Sequence, residues 1–167
     1  LATENITVQH RKVDTAYFDV KNRVLCLPIW KEEMPNDVYD LLVGHEVGHA
    51  LFTPKEDWMF KQKEVPVSFL NVLEDVRIEK MMKQKFPGLR KNFYDGYQIL
   101  SDKDFFGIKD KEVSQLKFID RMNVHYKIGA FAQVPFHNEI EMNFIKRAFE
   151  TQTFDDVYNL AKEIYEY

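Results

Sequence analysis

The chain has 167 residues, of which 45% are hydrophobic and 30% charged, a composition typical of a globular domain with a substantial core. Its net charge of −4 gives no electrostatic reason to expect nucleic acid as a partner. No apolar run approaches the roughly 18 residues of a membrane span, and the polar first ten residues do not resemble a signal peptide. Cys26 is the single cysteine, so an internal disulfide is excluded and a reducing, cytoplasmic location is expected.

The first part of the chain has the pattern of a small antiparallel sheet. Residues 6–10 alternate apolar and polar side chains, as a half-buried strand does. Residues 16–20 and 23–27 form two further strand-like runs, and Lys21-Asn22 between them predicts a tight hairpin. Pro28 is expected to end the last of these strands.

A long helix is predicted next, with Asn36 as its N-cap and Thr53-Pro54 as its end. The helix is apolar on most sides, so we expect it to be buried in the centre of the protein. Gly44 and Gly48 lie one turn apart on it, and each weakens a helix by about 1 kcal/mol relative to alanine. Such glycines indicate the close approach of another backbone or space for a substrate.

The remainder of the chain is predicted to be mostly helical. A charged connector over 55–64 leads to a second helix over 66–86, and an aromatic-rich segment over 90–100 suits a short helix or an ordered loop. Three more helices are expected near 111–128, 137–150 and 154–166, the last capped by Thr153. We therefore predict an α+β fold, forming a single domain over residues 1–167. The chain ends within a charged helical pattern, as a fragment of a longer protein would.

The central helix carries the sequence His45-Glu46-Val47-Gly48-His49, an H-E-x-x-H motif. Residues four apart lie on one face of a helix, so the two imidazoles can reach a single zinc ion. Glu46 lies to the side of that ion, where it can take a proton from a water that the ion activates. The alternative is that both histidines merely pack in a buried helix. Two imidazoles and a carboxylate would then all need other partners.

A catalytic zinc site needs a third protein ligand, and we expect it from the second predicted helix. Glu74 is the predicted ligand, with Asp75 orienting a histidine through its other ring nitrogen. Two alternatives stay open: Glu74 pairs with Arg77 three residues later on an exposed face, or Asp75 is itself the ligand. Arg77 and Glu79 are expected to be structural, with Glu79 directed outward. The other histidines, His10, His125 and His137, stand in no ligand-like context.

The motif, followed 25 residues after His49 by Glu74-Asp75, resembles the gluzincin-like zincin metallopeptidases. Residues 44–53 (Gly-His-Glu-Val-Gly-His-Ala-Leu-Phe-Thr) and 71–79 (Asn-Val-Leu-Glu-Asp-Val-Arg-Ile-Glu) look most like one branch. That branch is the metallopeptidase-like region of von Willebrand factor A proteins of the cobaltochelatase-subunit type, including phage-encoded copies. There the region precedes a von Willebrand A domain and works beside a MoxR-like AAA+ ATPase. Ile78 departs from better-known gluzincins, which often have Asp at this position.

The resemblance covers about residues 40–80 and implies a zincin-like fold with a central active-site helix. It also implies a zinc-dependent metallopeptidase in which His45, His49 and Glu74 bind Zn²⁺ and Glu46 is the general base. A second donor is needed for the oxyanion, and four residues are candidates by type alone: Tyr94, Tyr97, His125 and Tyr126. An extended peptide or protein substrate is expected to pair with the strand edge at residues 23–27.

A different function is also compatible with the same residues. The domain would then be a catalytically weak metal-binding interaction module working with a MoxR-like AAA+ ATPase or a von Willebrand A domain. Its ligands would be retained because metal binding adds to folding stability. Glu46, which a purely structural site does not need, favours chemistry. A chelatase-like role in handling metal ions is a third hypothesis. A phage-encoded copy would act in the host cytoplasm.

Overall fold

The computed structural model describes residues 6–19, 21–29, 34–55, 61 and 63–167. Over these residues the protein is α+β, as predicted, with a three-stranded sheet near the amino terminus and six α-helices after it. None of the described helices is long and apolar enough to cross a membrane. The predicted charged connector falls mostly on residues 56–60 and 62, which lie outside the described part.

The sheet consists of β1 (Thr7–Arg11), β2 (Tyr17–Asp19) and β3 (Val24–Pro28), in the order β1-β3-β2. The β2–β3 pair is antiparallel, but β1 pairs parallel to β3. The prediction of a wholly antiparallel sheet is therefore wrong, and the sheet is mixed. The physical reason lies in β3, whose last four residues are all buried, because such an apolar strand is best placed in the centre of a sheet.

The hairpin between β2 and β3 is longer than a two-residue turn. Its turn region ends at Arg23, which adopts a positive φ of 57°. Asp19 stabilises the turn by accepting the backbone N–H of Asn22 at 2.8 Å. This contact satisfies a backbone donor within the turn.

The motif lies on α1 (Asn36–Phe52), which packs against α2 (Val67–Lys85) and α3 (Leu89–Asp102). Asn36 is the first residue of the helix and Pro35 occupies the N-cap position, so the predicted N-cap is wrong by one residue. The helix ends as predicted, with Thr53 outside the last turn. The aromatic-rich segment is a regular helix rather than a loop.

Three further helices complete the described fold: α4 (Phe118–Ile128), α5 (Glu139–Glu150) and α6 (Phe154–Glu166). A short 3₁₀ turn precedes α4, so this helix begins later than the predicted 111. Thr153 caps α6 as predicted. Its hydroxyl accepts the Asp156 N–H, and the Asp156 carboxylate accepts the Thr153 N–H, which is the reciprocal arrangement of a capping box.

The core surrounds α1 and α2 and holds the motif in place. One face of α1 packs with α3 and α4 through a cluster that includes Leu41, Phe93 and Ile128. Ala50, nearer its carboxyl end, packs on the sheet. On its far side, α2 packs against α4, α5 and α6 in a larger cluster. The prediction that the motif helix is central and buried is confirmed.

Glycines allow α1 to approach its two neighbouring helices. A Cβ atom on Gly44 would lie 3.0 Å from a ring carbon of Phe93, and one on Gly48 would lie 2.8 Å from the Ile78 side chain. Both glycines therefore serve helix packing, and the neighbours that fill the space are side chains of α2 and α3. The clearest backbone contact is made by Gly96 of α3, where a Cβ would lie 2.7 Å from the carbonyl oxygen of Asp37.

Substituting Gly96 by alanine is expected to lower the free energy of unfolding by about 1–3 kcal/mol, because helix backbones must separate to admit the methyl group. Gly88→Ala is the matched control, since nothing lies within 4 Å of its added Cβ and its φ of −59° suits alanine. Urea denaturation followed by circular dichroism measures both variants. Equal stability of the two would contradict the close contact between α1 and α3.

Candidate metal centre

The motif helix and α2 bring together His45, His49 and Asp75. The Nε2 atom of His49 lies 3.2 Å from Asp75 Oδ1, and the Nε2 atom of His45 lies 3.5 Å from the same oxygen. One potential ligand atom from each residue lies within 4.8 Å of the others, and all three side chains are partly buried. Two imidazole nitrogens and one carboxylate oxygen form a donor set that zinc binds well.

The structure does not place Glu74, the predicted third ligand, in this group. Its Oε1 atom accepts hydrogen bonds from Thr53 Oγ1 and Arg77 Nη2, both at 2.6 Å, and its Oε2 atom accepts from Arg77 Nε at 2.8 Å. Neighbouring helical residues point about 100° apart, so Asp75 faces the two histidines while Glu74 is directed to Thr53 and Arg77 instead. Among the described residues, Asp75 rather than Glu74 lies together with the two histidines. The Arg77 pair, which was an alternative, is formed, but in a buried position rather than an exposed one.

Both histidines are oriented by hydrogen bonds at their other ring nitrogen. The Nδ1 atom of His45 lies 2.9 Å from a carboxylate oxygen of Glu79, which can only accept, so this nitrogen carries a proton. The Nδ1 atom of His49 lies 2.9 Å from Thr53 Oγ1. Since Thr53 gives its single hydroxyl proton to Glu74, His49 must donate. With each Nδ1 held in this way, Nε2 is the atom through which each ring can bind a metal.

Glu79 is buried, with 5% of its surface exposed, so the prediction that it faces outward is wrong. It also accepts hydrogen bonds from the Tyr97 hydroxyl at 2.5 Å and from Lys83 Nζ at 3.1 Å. Burial opposes its ionisation, but Lys83 and His45 outweigh that effect and lower the pKa of Glu79 to about 2. The helical spacing could have predicted this inward position, because Glu79 lies four residues after Asp75 and therefore shares its face of α2.

Lys127 of α4 is a member of the site that the sequence analysis missed. Its Nζ atom donates to Asp75 Oδ2 at 2.8 Å, and both side chains are 16% exposed. Burial opposes the charged form of Lys127, but the carboxylates of Asp75 and Glu79 raise the pKa of its ammonium. Burial likewise opposes ionisation of Asp75, but Lys127 and His45 hold the pKa of that carboxyl well below its usual range.

Glu46 lies in the wall of the cavity that the two histidines also line. Its side chain is 6% exposed. Burial raises the pKa of its carboxyl above the ordinary value, and the nearby histidines offset this effect only in part. A carboxylate with a raised pKa accepts a proton more readily, as general-base catalysis requires.

The cavity beside the candidate ligands has a volume of about 370 Å³. Of the four predicted oxyanion donors, Tyr97 lines it, but its hydroxyl already donates to Glu79. Tyr94 is exposed and packs on Phe131, while the Tyr126 hydroxyl donates to a backbone carbonyl of α5. His125 also lies away from the cavity. Lys127, whose side chain is cationic, also lines the cavity. Among the described lining residues it is the best candidate to donate a hydrogen bond to an oxyanion.

The strand edge expected to bind substrate at residues 23–27 is not available. These residues belong to β3, the central strand, and both of its edges are paired. The neighbouring strand β2 pairs with β3 alone among the described strands, and Tyr17 and Phe18 line the cavity. An extended chain beside the metal centre would therefore meet β2.

The described fold and site define an α+β protein whose central helix presents two oriented histidines to a carboxylate on a second helix. No protein-family model matches this sequence, and no curated protein or solved structure is significantly similar to it. The residues of the site themselves are thus the basis for any functional proposal.

Proposed function

We propose that the protein is a zinc-dependent, zincin-like hydrolase of peptide bonds, in which His45, His49 and Asp75 hold the ion and Glu46 is the general base. One observation carries the proposal: the two Nε2 atoms and a carboxylate oxygen of Asp75 converge while each histidine Nδ1 is held by its own acceptor. The resemblance of residues 40–80 to gluzincin-like metallopeptidases supports it, with Asp75 taking the part expected of Glu74.

The donor set fits a catalytic zinc ion better than a structural one. Catalytic sites use three protein ligands and keep one position open, whereas structural sites close the fourth position with another side chain. The group found among the described residues contains three members and opens onto a cavity. Zinc, when bound, would lower the pKa of water toward about 7 and polarise a substrate carbonyl.

The chain's own residues supply the remaining requirements for hydrolysis. Glu46 would take the proton of the attacking water and deliver it to the leaving amine. Glu46 is buried beside the histidines in the wall of the cavity, so bulk water does not return its pKa to the ordinary value. The edge of β2 that no described strand pairs would align an extended peptide by main-chain hydrogen bonds.

A second candidate is the metal-binding interaction module that works with a MoxR-like AAA+ ATPase or a von Willebrand A domain. The observation in its favour is that the candidate ligands belong to two different helices, α1 for the histidines and α2 for Asp75. An ion at this position would tie these helices together and stabilise the fold. Such a module would bind zinc and need no hydrolytic activity.

Metal analysis and a peptide-library digest test the proposed function together. The purified protein is expected to bind about one zinc per chain, and to lose cleavage when stripped with a chelator and regain it when zinc is restored. A folded protein without affinity for zinc would contradict both candidates. A zinc-loaded protein that cleaves no library peptide, with or without an ATPase partner, would favour the interaction module.

A further inference from the structure

Two of the candidate ligands, His45 and Asp75, have hydrogen-bonding partners of opposite charge. His45 is held by a carboxylate, at 2.9 Å from Glu79. Asp75 is held by a cation, at 2.8 Å between its Oδ2 atom and Lys127 Nζ. A carboxylate behind a ligand histidine makes that histidine a stronger donor to the metal. An ammonium bound to a ligand carboxylate has the opposite effect, because it stabilises the negative charge that the metal would otherwise share.

The two oxygens of Asp75 have separate partners. Oδ1 faces both histidines, at 3.2 and 3.5 Å from their Nε2 atoms, while Oδ2 faces Lys127. The carboxylate and the ammonium are both largely buried, so neither is well compensated by water. Lys127 thus gives Asp75 a counter-ion inside the protein whether or not a metal is bound, and leaves a single oxygen directed at the histidines.

We propose that Lys127 is a positioning residue that serves as the resident counter-ion of Asp75, stabilising the metal-free site and weakening its affinity for zinc. This inference rests on the proposed function, since it assumes that Asp75 is a ligand. The ammonium and the zinc ion compete for the same carboxylate, and two cations near one another repel in a site of reduced dielectric constant. The site would therefore stay formed without metal and would exchange zinc, rather than require it for folding.

The test is Lys127→Met, which keeps the aliphatic stem and removes the charge. Zinc affinity is measured by competition with a chelating dye at pH 8, and the stability of the protein freed of metal by EDTA is measured from its urea midpoint. We expect the variant to bind zinc about tenfold more tightly and to unfold at a lower urea concentration than wild type when metal-free. A residue that only packed the core would, when substituted, weaken both properties.

Two further variants make the test specific. Lys83→Met removes the same charge from a lysine that contacts Glu79 instead of Asp75, so we expect a smaller change in zinc affinity. Lys127→Arg retains the charge and should bind zinc as wild type does. Should Lys127→Met fail to fold without metal, Lys127→Gln keeps a hydrogen-bond donor, and its zinc affinity is expected to rise likewise.

Opposite changes in the two measurements support the inference. Unchanged or weaker zinc binding by Lys127→Met and Lys127→Gln would overturn it, as would an unchanged urea midpoint of the metal-free Lys127→Met protein. If wild type binds zinc but these variants do not bind it more tightly, this inference alone fails. If wild type binds no zinc, the proposed function fails as well.

Discussion

Asp75→Asn is expected to lower zinc affinity by about 100-fold or more, whereas Glu74→Gln is expected to leave zinc bound. The two substitutions are matched, because each replaces a carboxylate by an amide of the same shape at adjacent positions of α2. Asp75 Oδ1 lies within hydrogen-bonding distance of His49, and an amide oxygen there is a much weaker metal ligand than a carboxylate. Zinc titration with a competing dye compares the two variants directly.

Glu74→Gln is expected to lower the free energy of unfolding more than Asp75→Asn does, because the Glu74–Arg77 pair is more deeply buried than the Asp75–Lys127 pair, whose side chains are each 16% exposed. Glu74 is fully buried and forms three hydrogen bonds, two of them with Arg77. Glu74→Gln leaves the buried Arg77 charge without its counter-ion, which costs about 3–5 kcal/mol in comparable pairs. Arg77 keeps its hydrogen bonds to the carbonyls of Phe52 and Gln152, so the loss should stay near the lower end.

The outcome decides between two adjacent carboxylates. Loss of zinc in Glu74→Gln with retention in Asp75→Asn would restore Glu74 as the ligand predicted from the sequence. Loss in Asp75→Asn, with a lower urea midpoint in Glu74→Gln, would match the contacts of the structure.

The choice between Glu74 and Asp75 shows where sequence reasoning reached its limit. Four-residue spacing on one helix aligns His45 and His49 whatever surrounds them, so that part of the site could be predicted locally. Which of two neighbouring carboxylates faces α1 depends on the rotation of α2 about its own axis. That rotation is fixed by packing, since the Ile78 side chain fills the space above Gly48. No periodicity within α2 alone contains this information.

Long-range partners were missed for the same reason. Lys127 lies 52 residues after Asp75, and its helix is placed by the hydrophobic cluster that it shares with α1 and α3. The parallel pairing of β1 with β3 is likewise non-local, whereas the β2–β3 hairpin is local and could be predicted. Helix bounds followed well from caps and prolines, as at Thr53 and Thr153.

Glu46→Gln is expected to keep zinc and to lower peptide cleavage by about 10²–10⁴-fold, the usual contribution of a general base. The amide has the shape of the carboxylate but cannot accept the proton. Glu46 is not one of the converging ligands, so metal content should stay near that of wild type. Cleavage of a library-derived peptide and metal analysis of the same preparation measure the two properties.

The same substitution is expected to stabilise the metal-free protein at neutral pH. Burial raises the pKa of Glu46 in the folded state, so the folded protein binds its proton more tightly than the unfolded chain does. The contribution of Glu46 to the free energy of unfolding therefore falls as pH rises above its pKa in the unfolded chain, about 4.3. The contribution stops changing once the pH exceeds the pKa of Glu46 in the folded protein. Glutamine carries no charge and avoids this loss, so the advantage of Glu46→Gln should vanish below about pH 4.

A gain in stability together with a loss of cleavage would separate a catalytic Glu46 from a structural one. A carboxylate kept for folding would destabilise the protein when replaced, whereas a buried base retained for chemistry destabilises the protein while it is present. Asp40→Asn is a suitable control, because Asp40 lies on the same helix but its carboxylate is exposed. That carboxylate contacts the side chain of Asn92. Full cleavage by Glu46→Gln would exclude Glu46 as the base, and reduced stability at pH 7 would contradict a net destabilisation by its buried carboxylate.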